Sequence, residues 1–124
     1  MAAALTTSTQ DIHGDGSVIQ VVWNHLDATN NVGAAIAFSQ WADRSIQIQG
    51  TFNNAAVVWE GSNDNGNAYL PLTTPQGNVL NVATATLAAV TEVCGLARPR
   101  TTSGGVNQDV VVSAVLRRAT QLVR

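Results

Sequence analysis

Apolar and polar residues alternate with period two over two long stretches of the chain. Across 44–52, Ile46, Ile48, Gly50 and Phe52 alternate with Ser45, Gln47, Gln49 and Thr51. Across 108–116, Val110, Val112, Ala114 and Leu116 fall on one side. A strand turns successive side chains to opposite faces, so both patterns predict strands with one buried and one polar face. Residues 17–23, with Ile19, Val21 and Trp23 in alternate positions, predict another strand, and 35–38 a short one. Asn53-Asn54 is a tight-turn signal before AAVVWE (55–60), so 44–60 reads as a β-hairpin. Turn-forming 61–67 leads to a short strand at 68–72, placed near a sheet edge because Pro71 lacks an amide donor. Residues 73–78 turn again before a strand at 79–82. Residues 84–93 are ambiguous: Leu87 and Val90 sit three apart, a spacing compatible with one helical turn. Residues 96–100 read as extended, since Pro99 disfavours helix at Arg98.

Seven or eight short strands, with turn signals roughly every 8–12 residues, predict an all-β fold. The expected architecture is an antiparallel β-sandwich of jelly-roll or immunoglobulin-like type. Residues 1–16 lack periodicity and read as a flexible N-terminal arm, 17–118 as the sandwich domain, and 119–124 as a C-terminal tail.

Composition sharpens this picture. Charged residues make up 11% of the 124, against about 25% in an ordinary soluble domain. Thr (13), Asn (11), Val (16) and Gly (10) fill their place, a mixture suited to pleated surfaces and tight turns. A surface so poor in charge is expected to be covered in part by partners, including further copies of the chain in a dimer or trimer. All six cations are Arg and the net charge is -2, without the basic clustering of a nucleic-acid footprint. No run of 18 apolar residues predicts a membrane span, and the start MAAALTTSTQ lacks the basic region of a signal peptide.

Candidate chemistry is sparse. The two histidines are His13, in the expected arm, and His25, near Asp27, and neither belongs to a nucleophile–base–acid arrangement. Cys94 has no basic neighbour and reads as a small buried hydrophobe. The run Asn63-Asp64-Asn65-Gly66-Asn67 is superficially like a calcium loop but lacks the closing acidic ligand, so turn chemistry is expected there. No catalytic residue, cofactor or metal is therefore expected. Trp23 and Trp59 alternate with apolar neighbours and read as core anchors, while Trp41, in the loop-like SQWADRS stretch, reads as an interface anchor or as packing beside a strand. Arg117, Arg118 and Arg124 close the chain and suit bidentate contact with carboxylates of a partner.

ADRSIQIQGTF (42–52) and VVWEGSNDNGNAYLPLTTPQGN (57–78) resemble a pattern common among small proteins encoded in tailed-bacteriophage genomes. Its most specific parts are Glu60-Gly61-Ser62-Asn63-Asp64 and Pro75-Gln76-Gly77-Asn78, and Arg98-Pro99 and 110–118 continue it, so that it covers about residues 16–118. Tyr69 departs from it, standing near where that family often has Trp. The resemblance implies a β-sandwich that decorates phage heads. On that basis the expected partner is the major capsid protein, and the expected place is the outer surface of the virion, after synthesis in the host cytoplasm. Trp41, Arg117, Arg118 and Arg124 are the expected contacts. The alternative is a tail- or fibre-associated sandwich that holds host carbohydrate, which would need exposed aromatics.

Overall fold

The computed structural model describes residues 4–5, 7–11, 17–27, 30–102 and 108–118. These form twelve strands and no helix: β1 (Ala4–Leu5), β2 (Thr7–Asp11), β3 (Val18–Leu26), β4 (Val32–Gly33), β5 (Ile36–Ala37), β6 (Asp43–Thr51), β7 (Val57–Ser62), β8 (Leu70–Pro71), β9 (Asn81–Val82), β10 (Thr86–Ala89), β11 (Leu96–Thr101) and β12 (Asp109–Arg117). One sheet has five strands in the order β10-β6-β12-β3-β2. The other has seven, in the order β1-β4-β11-β7-β8, with β5 also on β11 and β9 also on β7. All pairings are antiparallel except β1 with β4. The protein is a β-sandwich. It has more strands than the seven or eight expected because several are only two residues long.

Period two sets the layers. Ile46 and Ile48 of β6, and Val110, Val112, Ala114 and Leu116 of β12, are at most 1% exposed and form one inner face. Trp59 of β7 meets that face through Trp23 of β3, ring centroids 5.4 Å apart and edge-on, and Phe38 stands edge-on to Trp59 at 5.8 Å. Edge-to-face aromatic contacts of this kind add to the stabilisation from burial. The Trp23 indole donates to the Ala34 carbonyl at 2.9 Å. Gly33 is required beside it, because a Cβ there would lie 2.6 Å from the Trp23 ring and 2.7 Å from Pro99.

Two expectations are corrected. The predicted hairpin of 44–60 does not form, since β6 and β7 lie in different sheets. The turn itself is present: Asn53 and Asn54 have φ of 47° and 71°, and the Ala55 amide donates to the Phe52 carbonyl at 2.8 Å. It carries the chain from one layer to the other. β12 and β10 already occupy both edges of β6, and every residue of β7 is buried, so β7 needs cover on both faces. The second correction concerns 1–16. Within that expected arm, Thr7–Asp11 pairs along β3 and Ala4–Leu5 pairs with β4. An edge strand is held by backbone hydrogen bonds to a single neighbour, which requires no apolar periodicity. Within the ambiguous stretch 84–93, Thr86–Ala89 form the edge strand β10.

Candidate interaction surface

The outer face of the five-stranded sheet carries two rows of uncharged residues. Strand register lines up its outward residues in rows across the sheet. One row is Val22, Ser113, Gln47 and Leu87, and the next is Gln20, Val115, Ser45 and Ala89. All eight are exposed or half-buried, and none carries a charge. At one end the face is closed by Arg117 and Asp43, which are directly opposite each other and ion-paired through Arg117 Nε at 2.7 Å. At the other end His25 Nδ1 lies 3.0 Å from the Asp109 carboxylate. His25 belongs to a bulge: β3 spends an extra residue between Trp23 and Leu26 opposite Val112 and Val110, and His25 takes φ 61° to do so. Gly50, at the same end, has φ 131° and approaches β12 so closely that a Cβ would lie 2.4 Å from the Asp109 carbonyl oxygen.

The outer face of the seven-stranded sheet is built differently. Glu60 is 3% exposed there. Its carboxylate accepts from Arg98 Nε at 2.8 Å and from Arg100 Nε at 3.2 Å. Arg98 is the cross-strand neighbour of Glu60, and Arg100 follows on the same face. The Arg98 guanidinium also covers the Tyr69 ring, 3.8 Å from its centroid. One buried acid is thus held by two cations, one of which stacks on an aromatic ring.

The remaining residues of the two most specific sequence stretches fold loops. The Ser62 hydroxyl donates to Asp64 at 2.7 Å and accepts from the Gly66 amide, while Asp64 accepts from the Ala68 amide. The Ser62 and Ala68 bonds hold the Asp64 carboxyl below its ordinary range. Asn63 Oδ1 accepts from the Gly95 amide at 3.0 Å. Across 74–78, the Gly77 amide donates to the Thr74 carbonyl and the Thr74 amide to the Asn78 carbonyl, with Gly77 at φ 87°. That is a type I turn closed by a left-handed glycine, with Pro75 at its first central position. The hairpin so made lays both arms on β7, β8 against Glu60 and Gly61 and β9 against Val57 and Val58.

The expected contact residues are distributed unevenly. Trp41 is 4% exposed and belongs to the core, so its indole is no accessible anchor; of the two readings, packing is what the structure shows. Arg118 lies over the Trp41 ring, 4.8 Å from its centroid, and Arg117 holds Asp43. Arg124 and the tail 119–124 lie outside the described residues, as does His13. His25 is paired with Asp109, and Asp27 instead accepts from the Asn30 amide. Trp23 and Trp59 are fully buried. Cys94 is buried, and burial pushes its thiol pKa up.

Sequence reasoning missed Arg44 and Glu92. Arg44 is 8% exposed, lies over the Phe38 ring, and donates to the carbonyls of Trp41, Val90 and Thr91. It ties β6 to the segment after β10. Glu92 accepts from the Thr73 amide and hydroxyl. Burial pushes its carboxyl up, but the Thr73 bonds, its own amide and the Arg44 charge outweigh this and hold it below the ordinary range. Beside Glu92, an open groove of about 500 Å³ runs along Gly61, Ser62, Leu70 and Cys94, flanked by Leu70 (71% exposed) and Val93 (63% exposed). Among the described residues, no group of three or more His, Cys, Asp or Glu is placed to hold a metal. No protein-family model matches the chain, and no curated protein or solved structure matches it either.

Proposed function

We propose that the protein is a bacteriophage capsid decoration protein, which binds the outer surface of the head shell and bridges neighbouring major capsid protein subunits. The observation that carries this reading is the outer face of the five-stranded sheet. Two full rows of Val, Gln, Ser, Leu and Ala lie between ion pairs at its ends. A face of mixed apolar and uncharged polar groups loses little on desolvation and gains contact area when covered. The sequence resemblance to small phage head proteins supports the same reading. A sandwich whose loops are tied by side chains, as at Ser62, Asp64 and Asn63, orders little on binding and so spends little contact energy on ordering. The carbohydrate-binding alternative needs stacking aromatics in the open. Trp23, Trp41 and Trp59 are buried, and Arg98 covers Tyr69.

The test uses purified phage heads with and without the protein. Complete heads should withstand higher temperature and osmotic shock. A variant carrying Gln20→Glu with Val115→Glu should stay folded yet be retained poorly on heads. Heads equally robust without the protein would refute the decoration role. Undiminished retention of the double variant would move the contact to another surface.

A further inference from the structure

We propose that β10 is a docking edge for a second copy of this chain, the two copies pairing antiparallel about a two-fold axis at Leu87. This does not depend on the decoration reading. β10 is an outer strand of the five-stranded sheet and pairs only with β6. Its hydrogen-bonding phase is fixed by the Val90 amide, which donates to the Arg44 carbonyl at 3.1 Å. In an antiparallel ladder the bonded positions alternate. Thr86 and Ala88 therefore bond inward, opposite Ile48 and Ile46, and Leu87 and Ala89 turn their amide and carbonyl groups outward.

An open edge of this kind templates further strand pairing unless it is blocked by charge, proline, a bulge or a cover. β8, at the edge of the other sheet, contains Pro71. β10 has no charge, proline or bulge: Thr86, Leu87, Ala88 and Ala89 are uncharged, and its pairing with β6 is in regular register, so its shortness, four residues, is what limits it as a template. No charged residue occurs between Asp64 and Glu92 in the sequence. That absence favours a copy of the same chain over an unlike partner. A two-fold axis brings every group near its own twin, so charge on the strand would repel itself, whereas an unlike partner gains from complementary charge.

The register follows. Centring the pair on Leu87 sets Leu87 opposite its twin, with Ala85 and Ala89 opposite each other on either side. Leu87 and its twin then exchange both of their outward backbone bonds, and Ala89 of each copy lies beside the residue that precedes β10 in the other. Leu87, 73% exposed in the single chain, gains an apolar neighbour across the axis. The two five-stranded sheets become one continuous sheet, and the uncharged face doubles in width.

Sedimentation velocity on the full chain tests this. The chain should sediment as a dimer. Leu87→Lys, and separately Ala89→Lys, should weaken self-association on the order of tenfold or more, by opposing like charges across the pair. Both sites are exposed, so the β-rich circular dichroism spectrum should hold, while melting temperature should fall towards that of the single chain; either variant that stays folded suffices. Val115→Lys, two strands inward, should leave the dimer intact. Leu87→Cys should form an intermolecular disulfide on mild oxidation, since bonded antiparallel partners lie about 5.5 Å apart at Cα. A wild-type chain that stays monomeric up to about 100 µM would overturn the proposal. So would a dimer that both lysine variants leave unchanged, because it would form through another surface.

Discussion

The two sheets turn the same kind of strand surface outward and use it in opposite ways. On the seven-stranded sheet, β7 is buried on both sides, and its outward Glu60 is locked between Arg98 and Arg100. On the five-stranded sheet, β6 and β12 bury one face and leave Ser45, Gln47, Gln49, Ser113 and Val115 without a charged neighbour in their rows. The first surface is spent on the fold. The second does little for the fold: among the described residues, its centre is tied by the side-chain hydrogen bond of Gln47 to Gln49 at 3.2 Å, which is exposed. A surface without structural duties is free to serve recognition, and that is why the proposed contacts fall on it.

The largest effect is expected where the fold depends on charge. Glu60→Ala leaves two half-buried guanidinium groups without their acceptor. Hydrogen bonds to charged groups contribute roughly 1.5–3 kcal/mol, so a loss of about that size is expected in urea unfolding. Arg98→Ala should cost less, because Arg100 still holds the carboxylate. A Glu60→Ala protein as stable as the wild type would erase the difference between the two faces.

Acid should reach the loop bonds next. Glu92 and Asp64 have folded-state pKa values below those of the unfolded chain. Their contribution is full above the unfolded values, near 4. It fades as pH falls through those values and is gone below the lowered folded ones. Melting temperature should therefore drop between about pH 5 and pH 3. The drop should be shallower in Glu92→Gln, which has no carboxylate to protonate at that position. An equal slope in both proteins would remove Glu92 from the account.

How far this was readable in the sequence follows the same division. The strands at 44–52 and 108–116 were legible because only one of their faces is buried, and period two records that. The polar half of the pattern, Ser45, Gln47 and Gln49, already spelled out the open face. β7 is buried on both faces, so its pattern gives neither orientation nor sheet, and the local Asn53-Asn54 signal reads the same for a hairpin as for the crossing between layers that it makes. Glu60 meets partners 38 and 40 residues further on, a distance no local pattern encodes. The polar neighbours of Trp41 leave interface anchor and packing equally open, because what decides between them is not local: the Ala42 amide bonded to the Arg117 carbonyl tucks this turn against the end of β12. The Ser62–Ala68 and Thr74–Asn78 turns were legible as turns, because Asx and Pro-x-Gly chemistry is local.

The smallest expected effect is the one that separates the faces most cleanly. Gln47→Ala removes an exposed side chain whose described hydrogen bond, to Gln49, is itself exposed. Such a change is expected to move stability by no more than about 0.5 kcal/mol. The lost amide contact is offset by the entropy of a side chain no longer ordered. Unfolding in urea should give the wild-type midpoint and the wild-type slope, while the same variant, tested for retention on heads, should bind more weakly if this row meets the shell. A silent result in both assays would leave Gln47 outside the contact and shift it towards Gln20 and Val115. A loss of stability comparable to that of Glu60→Ala would show that the uncharged face supports the fold after all, and the division of labour between the two sheets would fail.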